Sequence, residues 1–180
     1  MGRNRFTLTI QLTRSFVRTG NIAGLSLIAV PALTQSHGED SIPAKTLAVQ
    51  WRRLYNKGAV QNPPIAIGIA SILSYLAWSA DADSTVRFLG LATPRQLYIG
   101  SVALTMAIVP WTLLTMAPTN GKLHGKAAKV ESAARKGGAE WTAKDDEELG
   151  VLLQNWNFLN ALRSVLPMLG FASGALAALL

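Results

Sequence analysis

"LYIGSVALTMAIVPWTLLTMAP", residues 97–118, is the stretch on which the fold turns. No charged residue interrupts it. A helix rises about 1.5 Å per residue, so about 20 apolar residues cross roughly 30 Å of hydrocarbon. This stretch reaches that length unaided and reads as a transmembrane helix. The composition of the 180 residues agrees, with 49% apolar and only 15% charged, against about 25% charged in ordinary soluble domains.

Three weaker runs flank it. "PPIAIGIASILSYLAWSA", 63–80, is uninterrupted by charge, whereas "GNIAGLSLIAVPALT", 20–34, and "SVLPMLGFASGALAALL", 164–180, are short unless each takes in its polar upstream flank. The expectation is a single domain, 1–180. It is an all-α integral membrane protein, a four-transmembrane-helix bundle with spans near 15–34, 63–80, 97–118 and 150–180. For the first run a cleaved signal peptide competes, because Arg3, Arg5, Arg14 and Arg18 precede the apolar core. Those arginines are spread out and the core lies far from the first residue, so a retained helix is the preferred reading.

The connections are polar. "LAVQWRRLYNKGAVQN", 47–62, has the spacing of an amphipathic helix lying along the membrane interface in the first loop. Within it Trp51 and Tyr55 stand at i and i+4, the usual placing of an interfacial aromatic anchor. "APTNGKLHG", 117–125, closes the third span, where Thr119 and Asn120 cap the helix or line a cavity mouth. Residues 119–148 form the longest connection, broken at Gly137 and Gly138. "DDEE", 145–148, supplies the acids that favour a helix N-terminus. Gly20–Gly24 and Gly170–Gly174 have the spacing of close helix packing.

Several function classes drop out. With no cysteine there is no disulfide, thiolate metal site or cysteine nucleophile. His37 and His124 are too far apart for a ligand cluster, and no metal is expected. The net charge of +7 sits in loops and is not interleaved with exposed aromatics, so no nucleic-acid partner is expected.

"NWNFLNALRSVLP", 155–167, is the polar anomaly. On a helix Trp156, Asn160 and Arg163 fall at i, i+4 and i+7 on one face, with Gln154 and Asn157 beside it. Amides and an arginine at membrane depth are expensive and mark a site by default. The competing reading keeps Arg163 at the headgroups and uses Asn160 to bond helices together.

Four pieces in this order, "GLSLIAVPAL", "WRRLYNKG", "APTNGKL" and "WNFLNALRSVLP", cover most of the chain. Together they resemble the membrane family known as domain of unknown function 1772 (DUF1772), whose fungal members include anthrone oxygenases of aromatic polyketide pathways. The resemblance implies oxidation of an anthrone to an anthraquinone, with molecular oxygen as co-substrate and no cofactor. It implies a hydrophobic aromatic polyketide and the lipid bilayer as partners, and a multi-pass protein of an endomembrane such as the endoplasmic reticulum; whether copies of the chain form a homo-oligomer stays open. On that mechanism Arg163 stabilises the substrate anion and Asn160 and Asn120 hold its oxygens. Trp156 stacks on the tricyclic ring and His124 is the default base. Asn157, Thr119, Trp51 and Tyr55 complete the substrate-binding set. A non-catalytic four-helix scaffold and a small transporter stay open as alternatives.

Overall fold

The computed structural model describes residue 22 and residues 24–82, 84–136 and 140–180 of the chain. Its long elements are all helical. A π-helical turn, Leu25–Ala29, runs into α1, Val30–Glu39. Then come α2, Ala44–Ser79, α3, Pro94–Met106, and the short α4, Ile108–Trp111. A second π-helical turn, Thr112–Met116, leads into α5, Ala117–Lys136, and α6, Ala143–Leu179, completes the chain. Outside the helices a single antiparallel bridge pairs Phe88 with Ala92.

Local chemistry explains the ends. Thr93 caps α3 in a reciprocal box with Gln96, and Pro94 occupies the first turn, where its missing N–H costs nothing. Thr142 and Asp145 exchange the equivalent bonds at the start of α6: the Thr142 N–H donates to Asp145 Oδ2 at 2.9 Å and the Asp145 N–H to Thr142 Oγ1 at 3.4 Å. Asp145 and Asp146 fill the first turn of α6, as the acidic run predicts.

Among the described residues three helical runs are long and apolar enough to cross a membrane: Ala44–Ser79, Pro94–Arg135 and Ala143–Leu179. The fourth expected span, 15–34, falls partly on residues 1–21 and 23, outside the described residues. Two expectations change. The 47–62 segment is no separate interfacial helix but the first half of α2, which continues through Pro63 and Pro64. Each proline leaves the carbonyl four residues back without its bond. Those carbonyls belong to Ala59 and Val60, both exposed, where other donors can serve them. Nor does the helix stop at Thr119 and Asn120, because α5 runs on to Lys136.

By contacts the chain divides into two compact units. The described part of the first is Gln61–Trp111 and Arg163–Leu180; the second is Ile22–Val60 and Thr112–Leu162. In the first, Ile69, Leu73, Leu76, Ala77, Tyr98 and Ala177 form the core. Gly170 and Gly174 let α6 approach α3 closely. A Cβ on Gly170 would lie 3.0 Å from Thr105 Oγ1 and 3.2 Å from the Ser101 carbonyl, and one on Gly174 would lie 3.0 Å from Ser101 Oγ. Across the same contact Ser101 Oγ donates to the Gly170 carbonyl at 2.6 Å and Ser173 Oγ to the Leu97 carbonyl at 2.7 Å. The small residues thus pack helices, as their spacing suggested. Gly24 meets nothing within 4 Å, and Gly20 lies outside the described residues. Ile67, Trp78, Ile99 and Leu169 point outward with large exposed apolar side chains, as lipid-facing positions do.

Candidate functional site

The second unit gathers aromatic and amide side chains from three helices. Trp51 and Tyr55 are one turn apart on α2, Asn120 and His124 one turn apart on α5, and Trp156 comes from α6. Each pair at i and i+4 shares a helix face, which is what lets two helices present four groups to one place.

Trp51 is the centre. It is 1% exposed. Tyr55 stacks on it with centroids 5.2 Å apart and planes at 28°. His124 and Trp156 meet it edge-on at 5.1 and 5.8 Å. His124 also meets Tyr55 edge-on at 4.8 Å. These are the separations at which aromatic pairs attract through their quadrupoles. Asn120, itself buried, links two rings: its Oδ1 accepts from Trp156 Nε1 at 2.9 Å and its Nδ2 donates to the Tyr55 hydroxyl at 3.5 Å. The Trp51 indole N–H, although buried, has no hydrogen-bond partner among the described residues.

His124 lies beyond the charge-free run 96–121 of its helix, at the start of a lysine-rich segment. Partial burial, and secondarily the positive charge of Arg52, lower its pKa below the ordinary imidazole value. The ring is therefore neutral, and able to accept a proton, at neutral pH. Arg52 in turn is ion-paired with Glu131.

Asn160, Asn157 and Thr119 are held by other partners. Asn160 is 0% exposed. Its Nδ2 donates to the Ile22 carbonyl at 3.0 Å and to Ser26 Oγ at 2.7 Å. Ser26 Oγ donates onward to the Asn157 carbonyl at 3.2 Å. Asn160 thus ties α6 to the helical turn at 22–26. Asn157 Oδ1 is buried without a hydrogen-bond partner among the described residues. Thr119 Oγ1 accepts from Asn155 Nδ2 at 3.3 Å, joining α5 to α6. Arg163 belongs to the first unit, where it is half-buried on α6.

Some contributors were not singled out from sequence. Ser26 lies inside "GLSLIAVPAL", and a lone hydroxyl in an apolar run was the available signal. Lys126 bridges Asp145 at 2.7 Å and Glu148 at 2.6 Å, and Lys129 reaches Asp145 at 2.5 Å. Lys126 and Lys129 hold the Asp145 carboxyl far below the usual carboxylate range. These ion pairs clamp α5 to the start of α6. The open groove beside them, about 830 Å³, is lined by Lys122, Lys126, Lys129, Lys144 and their acids. It is a charged, salt-bridged surface, with no aromatic side chain in its lining among the described residues. Among the described residues no group of three or more histidines, aspartates and glutamates is placed to hold a metal ion.

Comparison with known proteins follows this geometry. Residues 51–173 match the family described as anthrone oxygenase. That match holds every residue of the aromatic cluster. The chain is 34% identical to the anthrone oxygenase encC of Aspergillus fumigatus, over 94% of this chain and 91% of that one. It is 31% identical to an anthrone oxygenase of Claviceps purpurea over 92% of this chain and 84% of that one. A noranthrone monooxygenase of Aspergillus flavus is 28% identical over 92% of this chain and 69% of its own length. No solved structure matches.

Proposed function

Because this chain belongs to the anthrone oxygenase family, we propose that it oxidises the methylene carbon of a hydroxylated anthrone to the carbonyl of an anthraquinone. Molecular oxygen is the oxidant, the second product is water, and the chain's own side chains do the work without a resident cofactor. The protein is an oxygenase of a membrane, and its guest is a planar, apolar polyketide that partitions into lipid.

The chemistry asks little of the protein. An anthrone methylene is acidic because its anion is delocalised over the tricyclic ring. A base takes one proton. The carbanion passes one electron to oxygen, giving superoxide and a carbon radical. These combine to a peroxide, which takes up a proton and loses water to leave the ketone. One oxygen atom enters the carbonyl and the other leaves as water, so no external reductant is needed. The protein must supply a base, a donor for the anionic oxygen, and a dry, flat pocket.

One observation carries the reading: Trp51, Tyr55, Asn120, His124 and Trp156 converge with ring centroids 4.8–5.8 Å apart. His124 is the base, Tyr55 and Trp156 flank the substrate ring, and Asn120 holds the Tyr55 and Trp156 side chains in register. Asn160, its amide hydrogens already engaged, positions the 22–26 turn. The role of Arg163 as a charge that stabilises the anion is proposed on its sequence motif alone, and Arg163→Lys tests it. Asn157 and Thr119 are proposed as outer contacts on the same footing.

The test uses purified protein in detergent, a hydroxylated anthrone and air. Quinone absorbance should rise well above spontaneous oxidation and above a boiled control. His124→Ala should return it to the spontaneous rate while the protein melts as before. A folded wild-type protein that adds nothing to the spontaneous rate would leave only the scaffold reading, which the fully bonded Asn160 and Lys126 ties favour.

A further inference from the structure

The cluster contains two buried indoles that differ in one respect. Trp156 gives its N–H to Asn120 at 2.9 Å. Trp51 is the more deeply buried, at 1% exposed, and its N–H has no hydrogen-bond partner among the described residues. An unmet buried donor typically costs about 1–3 kcal/mol. Native proteins keep few of them, and each one needs a reason. Packing alone is no reason, because phenylalanine would fill much of the same space without the cost. The surroundings also matter: Tyr55 lies stacked on Trp51, and His124 and Trp156 stand edge-on to it. Among the described residues none of these rings accepts a hydrogen bond from the N–H.

We propose that the Trp51 indole N–H is the hydrogen-bond donor for an oxygen of the aromatic substrate, the oxygen on which negative charge collects as the methylene proton leaves. This rests on the oxygenase reading above. An indole is a donor only, so it cannot compete with His124 for the proton. It is neutral, so it costs little to keep in a dry pocket, and its bond strengthens as the oxygen becomes anionic, which is where catalysis gains. His124 is 5.1 Å away between centroids. Donor and base therefore stand side by side, as one ring oxygen and one ring carbon of the same planar guest require. The N–H has no exposed surface, so the guest reaches it as the half-buried Tyr55 ring moves off Trp51, with His124 keeping its edge-on place.

The decisive variant is Trp51→Phe, which keeps an aromatic ring and deletes the donor. With anthrone under air, kcat/KM should fall about a hundredfold to a thousandfold, while the melting temperature holds or rises because an unmet donor is gone. The second readout is the wild-type protein labelled with ¹⁵N-tryptophan and titrated with a hydroxyanthraquinone. The Trp51 N–H resonance should move downfield, and the bound phenol should ionise at lower pH than it does on Trp51→Phe. Unchanged kcat/KM in a folded Trp51→Phe protein overturns the proposal. So does a large fall in melting temperature with no change in the pH at which the bound phenol ionises, since that marks a structural N–H. If Trp51→Phe does not accumulate, the labelled wild-type titration decides, and a resonance that stays in place overturns the proposal. Active wild type with an indifferent Trp51 resonance defeats this inference alone. Inactive wild type defeats the oxygenase reading, whatever the resonance does.

Discussion

His124 meets two rings edge-on and feels the charge of Arg52, and both burial and that charge disfavour its protonated form. The sign follows. The folded chain binds this proton less well than an unfolded chain does, so His124 stays a competent base below the pH at which a free imidazole charges. The rate, kcat/KM, should stay level as pH falls through the ordinary imidazole value and drop only below it. Arg52→Gln removes the neighbouring charge, and the acid limb of the pH–rate profile should then move to higher pH. The same linkage makes His124 withdraw stability as pH falls past the unfolded value. Asn160 belongs to structure at this scale. Asn160→Ala deletes two bonds and leaves the buried Ser26 hydroxyl only the one it donates to the Asn157 carbonyl. It should cost about 1–3 kcal/mol in a denaturant titration. The cluster was partly legible in sequence, because Trp51 with Tyr55 is an i, i+4 pair. Asn120 with His124 is another, but the two lie in different readings, a loop cap and a default base. Nothing in the spacing of one helix reports that its face meets that of another. The unmet Trp51 N–H was invisible for the same reason.

Helices here outlast the apolar runs that announce them. Hydropathy locates where charge begins, and charge does not end a helix. The segment "KLHGKAAKVESAARK", 122–136, is rich in alanine, lysine, glutamate and arginine, all strong helix formers, so α5 continues through it. At about 1.5 Å per residue, the 36-residue α2 is roughly 54 Å long, well beyond a hydrocarbon core of about 30 Å. This is why an expected interfacial helix became the first half of a longer one. The small-residue pairs give the element-scale test. Gly170→Ala would push a methyl to 3.0 Å from Thr105 Oγ1 and 3.2 Å from a backbone oxygen. A backbone atom cannot yield cheaply, so a loss of about 1–3 kcal/mol is expected in thermal unfolding. Gly24→Ala, with nothing within 4 Å of its Cβ, should melt like the wild type.

For the whole molecule, length and hydropathy revealed a membrane protein, and family membership came from four short motifs in order. Their relevance to one site did not. Charge distribution makes the remaining prediction. The connection 81–93 carries Asp81, Asp83 and Arg87, whereas 122–148 carries Lys122, Lys126, Lys129, Arg135, Lys136 and Lys144. Lysine and arginine favour the cytoplasmic side. A glycosylation acceptor inserted within 81–93 should be modified in microsomes, and one inserted at 137–139 should not. The reverse pattern would put the aromatic residues Asn120 and His124 flank on the lumenal side.

The most direct test of the account is oxygen consumed against quinone formed, followed together for the wild type and for folded His124→Ala. The account predicts one oxygen molecule per quinone in the wild type, and only the spontaneous rate in the variant. A folded His124→Ala protein that turns over anthrone like the wild type would contradict it.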